Sequence, residues 1–569
     1  MKKAPGHALK NTVRAKFHPG MEWKTQTATP ILFRGGPVEI FQNLLFHGRN
    51  VERNVSVPHR TMPEESCGDG ISGGYRRYRR RSAVLNIVEK RLDDFRIGAS
   101  VPAACRGIVI QTIRKIRLRN PRTAFRPHAN PAVSGNSDVE SSGIAPEKIR
   151  AMSVTGQAET LIMTGADHKP LRKAIVWLDN RAGREAKIIE REFTSGSLFH
   201  LSGQTEMLPC WPAAKILWFR ENEPELFAKT EKFLMVEDYI VHKLTGRCAT
   251  CRGLMPSSLY YDIRTKRYDT EMLDFLGIRE EQLPELRDSG EIIGRCIEND
   301  SMIPAGTPVA AAPIDHVCGN LGSGCAGKGM ISETTGCTLA LCAAFPSLVY
   351  DEERRLSTYL GFAPDTFVLL PWAPTAGMLL KHFRDEFTGG MSYKEFDEAA
   401  AMVRAGSEGL ILLPHCAGAV SPVCNSEARG VAYGITLAHK RGHWARAIME
   451  SVAYLLRDNI EVLRSLGAEI TEIRSLGGAS RSRLWLQIKA NVLNLPVTVT
   501  ECGEATSLGA AILGAVACGD FADTAAAAAR MVRISARIEP DGDSAAYQEY
   551  FRQYQKLNSL LMPTFGGRL

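Results

Sequence analysis

The sequence predicts an α/β protein made of two related domains. Strand-like and helical segments alternate from about residue 143 onward, and a strand–hairpin–helix pattern at residues 149–195 recurs at residues 330–400. Such a recurrence favours two similar domains over one continuous sheet. The 569 residues are 44% hydrophobic and 23% charged, an ordinary globular composition with enough length to bury a large core.

The predicted strands are short apolar runs bounded by turn residues. In chain order they cover residues 149–154, 160–164, 174–178, 307–313, 330–344 (a hairpin), 409–413, 472–476 and 497–500. Residues 160–164 and 174–178 are expected to pair as a further hairpin. The predicted helices have apolar residues at three- and four-residue spacing, and they cover residues 181–193, 211–221, 233–244, 443–466 and 505–519.

The formal net charge of +8 is concentrated at the front of the chain. Residues 1–141 contain 25 Lys and Arg against 11 Asp and Glu, whereas the remainder contains 45 against 51. Such a block can bind nucleic acid, but a solvated or unfolded segment explains it more simply, so no nucleic-acid partner is expected. No apolar run is long enough to span a bilayer and no secretory leader is evident, which predicts a cytoplasmic protein without membrane contact.

Cysteine spacing gives little indication of a metal site. The fourteen cysteines are scattered, as small buried residues are in a reducing compartment. Cys248 and Cys251 have CxxC spacing, but no second pair accompanies them. The sequence therefore predicts no metal ligands in this protein.

Three segments could carry chemistry. Asp315 directly follows a buried strand and could accept a proton from a substrate hydroxyl, although a helix N-cap is the commoner role for such an Asp. The turn at residues 333–338 (ETTGCT) could hold phosphate oxygens or be an ordinary β-turn. Residues 475–480 (SLGGAS) join a strand to a helix, where paired glycines admit a nucleotide or simply make the turn.

Together with other segments, these residues resemble the FGGY family of carbohydrate kinases over residues 143–569. The matching segments are, in order, residues 153–157 (SVTGQ), 174–181 (AIVWLDNR), 214–218 (AKILW), 237–239 (EDY), 244–246 (LTG), 261–262 (YD), Asp315 with its Gly-rich turn, 334–336 (TTG), 434–435 (GI) leading into 443–450 (HWARAIME), 477–479 (GGA), 485–487 (WLQ) and 508–511 (LGAA). No single segment is specific to the family, but their order and spacing are.

The resemblance implies two ribonuclease-H-like domains of the actin-like ATPase superfamily that flank a cleft. Residues 143–318 would bind the sugar and residues 319–569 the nucleotide. The implied activity is that of a phosphotransferase that uses ATP and Mg²⁺ to phosphorylate a hydroxyl of a small sugar. The resemblance is also compatible with a homodimer. The implied base is Asp315, and the implied ATP-binding residues are Thr335, Gly336, Gly477, Gly478 and Ala479. The implied substrate-binding residues are Gln157, Glu159 and Asp315.

The front of the chain departs from the family. Family members open with a strand carrying Asp-x-Gly-Thr, which holds phosphates and helps to place Mg²⁺, and residues 1–142 contain no such motif. Two interpretations stay open. In the first, these residues are an atypical basic region that is poorly ordered or non-native, for example through a reading-frame error. In the second, the chain is a catalytically impaired relative that binds sugar or serves as a scaffold. The intact remainder of the chain favours the first.

The substrate is specified less closely than the reaction. Residues 158–160 (AET) stand where xylulokinases usually have Met-His and glycerol kinases have Arg-Glu. Glu159 could therefore contact sugar hydroxyls, or it could be an exposed residue at a strand end. A pentulose or a similar polyol is the default substrate, in a xylulokinase-like enzyme.

Overall fold

Two mixed β-sheets form the framework of the protein. The computed structural model describes residues 84–87 and 108–113 as backbone strands, together with residues 145–298 and 303–566. These residues all lie in one compact unit, residues 77–569. The predictions for residues 1–142 therefore lie outside the described residues, except at the two strands.

The described part of the chain contains groups of strands and groups of helices in succession. The strands are β1 (Val84–Ile87), β2 (Ile108–Ile113), β3 (Ala151–Gly156), β4 (Leu161–Thr164), β5 (Lys232–Met235), β6 (Ala249–Cys251), β7 (Tyr261–Asp262), β8 (Arg267–Tyr268), β9 (Glu285–Arg287), β10 (Ile292–Arg295), β11 (Pro308–Ala311), β12 (Gly329–Thr335), β13 (Leu339–Phe345), β14 (Ser357–Leu360), β15 (Phe367–Leu370), β16 (Trp372–Ala373), β17 (Ile411–Leu413), β18 (Val431–Tyr433), β19 (Ile470–Leu476), β20 (Val497–Thr500) and β21 (Ile534–Ile538). The helices are α1 (Gly183–Phe193), α2 (Ser195–Ser202), α3 (Pro212–Asn222), α4 (Pro224–Ala228), α5 (Val236–Thr245), α6 (Thr270–Leu276), α7 (Asp315–Gly322), α8 (Gly377–Phe387), α9 (Tyr393–Ala401), α10 (Arg441–Ser465), α11 (Arg483–Leu493), α12 (Ala505–Ala517), α13 (Thr524–Met531) and α14 (Ser544–Leu561). Within the described ranges, no helix combines the length and the apolar character needed to cross a membrane.

The first sheet has the strand order β1-β2-β3-β11-β10. Its three central strands, β2, β3 and β11, run parallel to one another, whereas β1 and β10 are antiparallel to their neighbours. Every residue of β3 is buried, including the polar Ser153 and Thr155, as in a central strand that is covered on both faces.

The second sheet has the strand order β14-β15-β13-β12-β19-β20-β21, and β16 also pairs with β13. Strands β12, β19 and β20 are parallel, whereas β13 and β21 are antiparallel to their neighbours. The strands β13-β12-β19-β20-β21 thus repeat the arrangement of the first sheet, in agreement with the predicted pair of related α/β domains. The chain order differs at both edges, because β1 precedes β2 and β10 precedes β11, whereas β13 follows β12 and β21 follows β20.

Helices α7 and α12 cross between the two sheets. Although α7 follows β11 of the first sheet, its Asn320 amide donates hydrogen bonds to the Ser332 hydroxyl and the Cys342 carbonyl of the second sheet, both at 3.0 Å. Although α12 follows β20 of the second sheet, it packs on β3 and β11, and its Ile512 belongs to the core of the first sheet. Each sheet is therefore covered by a helix that follows the other sheet, and the predicted boundary after residue 318 falls inside α7.

The crossing point of α7 and α12 has room only for glycine. A Cβ atom on Gly322 would lie 1.8 Å from the carbonyl oxygen of Ala505, and one on Gly509 would lie 1.8 Å from the carbonyl oxygen of Cys318. Because both clashes involve backbone atoms, a larger residue could be accommodated only if the helices moved apart.

We expect Gly322→Ala to destabilise the protein by about 1–3 kcal/mol through overpacking, although alanine favours a helix by about 1 kcal/mol over glycine. The free energy of unfolding in urea measures this change. Gly183→Ala is the matched control, because a Cβ atom there, at the start of α1, meets nothing within 4 Å. Equal stability of Gly322→Ala and the parent would contradict the close crossing.

Two predicted segments differ from the structure. Residues 174–178 form no strand, and only a single bridge joins Leu161 to Ile175, because β4 pairs along its length with β5 instead. The helix predicted for residues 233–244 begins at Val236, since the residues before it belong to β5. The long helices predicted at residues 443–466 and 505–519 are confirmed as α10 and α12.

Candidate active site

The first candidate edge lies at the carboxyl ends of β3 and β11. These strands are parallel, with Val154 opposite Ala311, so the turns that follow them leave the sheet side by side. The Thr155 hydroxyl donates a 2.7 Å hydrogen bond to the carbonyl oxygen of Pro313 and ties the end of β3 to the turn after β11. Ligands of open α/β sheets bind at such an edge.

Asp315 is the first residue of α7 at this edge. The N-cap residue is Ile314, and no side chain caps the helix, so Asp315 does not have the capping role that its sequence context also allowed. Its side chain is 16% exposed, and His316 Nε2 lies 3.9 Å from its carboxylate. The main-chain oxygen of Asp315 accepts a 3.3 Å hydrogen bond from the Thr506 hydroxyl of α12. The carboxylate is thus partly accessible on a helix that is anchored at both sheets.

The turn after β3 is held by buried polar side chains. Ala158 and Glu159 both have positive φ angles, of 54° and 49°, a conformation that costs free energy in non-glycine residues. Glu237 accepts a 2.9 Å hydrogen bond from the Ala158 N–H, and the Lys215 ammonium donates one of 2.8 Å to the Glu159 carbonyl. A Cβ atom on Gly156 would lie 2.2 Å from Glu237 Oε1, so a larger residue there would have to displace this carboxylate.

Gln157 and Glu159, the predicted substrate-binding residues, both lie in this turn. The half-buried Gln157 side chain donates a 3.2 Å hydrogen bond to the Thr160 hydroxyl. Glu159 is only 7% exposed and is therefore not a surface residue at a strand end. Burial raises the pKa of its carboxyl to about 7; the Lys215 ammonium opposes this rise, and the Asp315 carboxylate adds to it. The structure therefore brings Gln157, Glu159 and Asp315 to one edge.

We expect the buried Glu237 carboxyl to make the protein less stable as the pH rises. Burial raises the pKa of Glu237 from 4.5 to about 8, so between these values the folded protein holds a proton that the unfolded chain has lost. The free energy of unfolding then falls as the pH increases. Because Glu237→Gln keeps an acceptor for the Ala158 N–H but never ionises, its stability relative to the parent should rise by at least about 1 kcal/mol between pH 5 and pH 8.

Urea unfolding at both pH values checks this expectation. Glu225→Gln serves as the control because Glu225 is exposed on α4. An unchanged difference between Glu237→Gln and the parent at the two pH values would show that Glu237 is not protonated in the folded state.

The second candidate edge lies at the carboxyl ends of β12 and β19. These strands are parallel, with Thr334 opposite Leu476, so the turns with the predicted ATP-binding residues are neighbours. Gly477 has φ of 83°, and a Cβ atom there would lie 2.8 Å from the carbonyl oxygen of Thr335. A Cβ atom on Gly478 would meet nothing within 4 Å, whereas Ala479 is buried. Open space thus lies beside Gly478.

Thr335 belongs to a buried polar network beneath this edge. Its hydroxyl donates a 2.7 Å hydrogen bond to Glu333 and accepts one of 2.9 Å from Lys489. Lys489 and Glu333 form an ion pair at 2.5 Å with both side chains fully buried, and the Ser475 hydroxyl also donates to Glu333. The Thr335 hydroxyl is therefore committed to the interior, and the accessible part of this turn is formed by residues 336–338.

Sequence reasoning overlooked four supporting residues of the site. Lys215 and Glu237 hold the turn of the first edge, and both stand inside matched family segments, which could have identified them. The Trp177 N–H donates a 3.2 Å hydrogen bond to the Thr160 hydroxyl, and its side chain is 41% exposed beside the same turn. Lys489 gave no such signal, because its partner lies 156 residues away in sequence.

Comparison with known protein families shows which family this chain belongs to. Residues 132–322 match the N-terminal domain of the FGGY family of carbohydrate kinases, and residues 360–518 match its C-terminal domain. The chain belongs to the FGGY family of carbohydrate kinases. The predicted resemblance and the predicted enzyme class, a carbohydrate kinase, are therefore confirmed.

Individual FGGY kinases match this chain over most of their length. A xylulose kinase of Bacillus subtilis is 28% identical over 429 residues, which are 74% of this chain and 84% of that protein. A glycerol kinase of Thermococcus onnurineus is 30% identical over 392 residues, which are 67% of this chain and 77% of that protein. The two differ in the substrate named, so membership of the FGGY family does not by itself identify the sugar.

A solved FGGY kinase structure has the same fold. The crystal structure of Plasmodium falciparum glycerol kinase with ADP superposes with a TM-score of 0.68 at 22% identity, covering 76% of this chain and 88% of that chain. This similarity confirms the predicted fold class of two α/β domains. The bound ADP indicates that the family uses a nucleotide.

Proposed function

We propose that this FGGY kinase transfers the γ-phosphate of ATP to a hydroxyl of a pentulose or a related polyol, with Asp315 as the general base. The observation that supports this best is the partly exposed Asp315 carboxylate at the edge that also carries Gln157 and Glu159. A carboxylate there can accept the proton of a hydroxyl bound beside it.

The first edge supplies the groups that bind and orient the sugar. A buried Glu159 whose pKa lies near neutrality can donate a hydrogen bond to a sugar hydroxyl when protonated and accept one when ionised. Gln157 offers an amide on the same turn. Because Lys215 and Glu237 fix the backbone of this turn, its side chains are preorganised before the sugar arrives.

The second edge supplies the nucleotide site. Residues 336–338 form the accessible turn above β12, where the phosphates would lie, and the open space beside Gly478 would admit the adenosine. Mg²⁺ would be held mainly by the phosphates and water, because the Glu333 carboxylate is already paired with Lys489. The partly exposed Asp315 carboxylate could supply one protein ligand. When bound, the ion neutralises charge on the phosphates.

Transfer is then an in-line displacement. The sugar oxygen forms a bond to the γ-phosphorus while the bond from that phosphorus to the β–γ bridging oxygen breaks, and ADP leaves. The hydroxyl proton passes to the carboxylate of Asp315. Positioning and charge neutralisation account for most of the acceleration in such reactions, so the protein's task is to hold the two substrates in line.

One observation favours a second candidate, a sugar-binding relative with impaired catalysis. Within the described residues, no strand follows β2 in the chain as β13 follows β12, and β2 itself reads Ile-Val-Ile-Gln-Thr-Ile rather than Asp-x-Gly-Thr. A kinase without that phosphate-holding strand would bind its sugar but transfer phosphate slowly or not at all.

A substrate panel distinguishes the two candidates. The chain, and a version whose first 142 residues are replaced by a family segment carrying Asp-x-Gly-Thr, are assayed for ADP release with ketopentoses, other polyols and glycerol in the presence of ATP and Mg²⁺. We expect sugar-dependent ADP release, fastest with a ketopentose. Sugar binding by calorimetry with no ADP release from either protein would support the impaired relative and rule out the proposed kinase activity.

A further inference from the structure

Two histidines and a cysteine of the first domain lie close together, outside both edges of the candidate active site. His168 lies in the turn after β4, His242 in the last turn of α5, and Cys248 directly before β6. Their ligand atoms all lie within 4.8 Å of one another, and all three side chains are half-buried. The CxxC spacing of Cys248 and Cys251 does not account for this cluster, because both histidines come from other elements.

The distances within the cluster are close to those of a metal site. A tetrahedral ion with ligands at about 2.0–2.3 Å holds its ligand atoms about 3.5 Å apart. The Cys248 Sγ and His242 Nδ1 atoms are already 3.5 Å apart. Since no two of the three ligand atoms are more than 4.8 Å apart, closure by about 1 Å would bring all three donors onto one ion.

The backbone around the cluster is already fixed. The His168 N–H donates a 2.9 Å hydrogen bond to the Gly165 carbonyl, and His168 has φ of 55°, which is uncommon for a non-glycine residue. The main-chain carbonyl of His242 accepts a 2.8 Å hydrogen bond from the N–H of Gly246. The main-chain carbonyl of Cys248 accepts one of 2.9 Å from the N–H of Glu285.

One donor atom of the cluster lacks a partner. The Nδ1 atom of His168 is buried and forms no hydrogen bond within the described part of the chain. An unsatisfied buried nitrogen costs free energy, and a ligand would remove that cost.

We propose that His168, His242 and Cys248 bind a Zn²⁺ ion, with a water or a further ligand in the fourth position. Two nitrogens and one thiolate form a donor set suited to this ion, whereas Mg²⁺ prefers oxygen ligands. The cluster lies apart from the candidate active site, because the whole of β4 separates His168 from the turn that ends at Thr160.

The ion would brace the turn that carries Glu159. Helix α5 begins beside Glu237, which holds Ala158, and ends at the cluster. Strand β4 likewise runs from that turn to the cluster. A metal ion would thus join the far ends of the two elements whose near ends shape the turn, so its expected effect is on stability rather than on the reacting atoms.

Metal titration of the full-length protein tests the proposal. After treatment with a chelator, calorimetry with Zn²⁺ should show one ion per chain, and Zn²⁺ but not Mg²⁺ should raise the melting temperature. Substitution with Co²⁺ should give a thiolate-to-metal charge-transfer absorption band. His242→Ala and Cys248→Ser should lose stoichiometric binding and the band. Cys251→Ser and Cys337→Ser, which alter a buried and an exposed thiol outside the cluster, should keep both.

A second measurement covers variants that fail to fold. In the parent protein, bound Zn²⁺ should slow the alkylation of Cys248 more than that of Cys337, as read by peptide mass spectrometry. Absence of stoichiometric binding, equal affinity in Cys248→Ser, or unchanged alkylation of Cys248 would each overturn the proposal and leave a simple thiol–imidazole contact.

Discussion

Asp315→Asn should lower kcat about 10²–10⁴-fold, the usual contribution of a general base, while sugar affinity changes little. Asparagine has the size of aspartate but cannot accept the proton of a sugar hydroxyl. The fold should survive because Asp315 caps no helix, and loss of its charge at the start of α7 costs only about 0.3–1 kcal/mol.

The measurement is sugar-dependent ADP release, with sugar affinity followed by calorimetry. Asp365→Asn provides a matched control, because the Asp365 side chain is 96% exposed and pairs, among the described residues, with Lys266, which belongs to neither edge of the site. Near-normal turnover of Asp315→Asn, with Asp365→Asn also normal, would reject Asp315 as the base. Loss of turnover together with loss of sugar binding would instead make Asp315 a binding residue.

The second large effect is expected at Lys489. Lys489→Met should destabilise the protein by about 3–5 kcal/mol, because it leaves the Glu333 carboxylate buried without a charged partner. The Thr335 hydroxyl would lose its donor as well, so the turn at residues 336–338 should bind nucleotide less tightly.

A double-mutant cycle isolates this ion pair. The combination of Lys489→Met with Glu333→Gln should recover much of the loss in urea unfolding, since no buried charge then remains. Lys394→Met is the control, because Lys394 is 86% exposed and its pairing with Glu398 should contribute less than about 1 kcal/mol. If Lys489→Met proves no more destabilising than Lys394→Met, the pair does not support the edge.

The sequence predicted the parts of the site that depend on local pattern. The runs before Gln157, Asp315, Gly336 and Gly477 read as strands followed by turns, and parallel pairing then places these residues at two edges. Their roles as base, substrate ligands and ATP ligands stay predictions for the experiments above.

Features that depend on distant partners could not be predicted in the same way. The Glu333–Lys489 pair and the exchange of α7 and α12 join segments more than a hundred residues apart. The helix expected from residue 233 was wrong at its start because the residues of β5 are apolar in either conformation, and only their pairing with β4 shows them to be a strand. The cluster at His168 escaped notice for the same reason.

The exchange of α7 and α12 has a consequence for how the protein can be divided. Neither half of the chain contains all the helices that close its own core, because the face of the first sheet at β3 and β11 is covered by a helix that follows β20. Cutting the gene between the halves would expose that apolar face to water. The two halves are therefore expected to fold only together, and neither is suited to expression on its own.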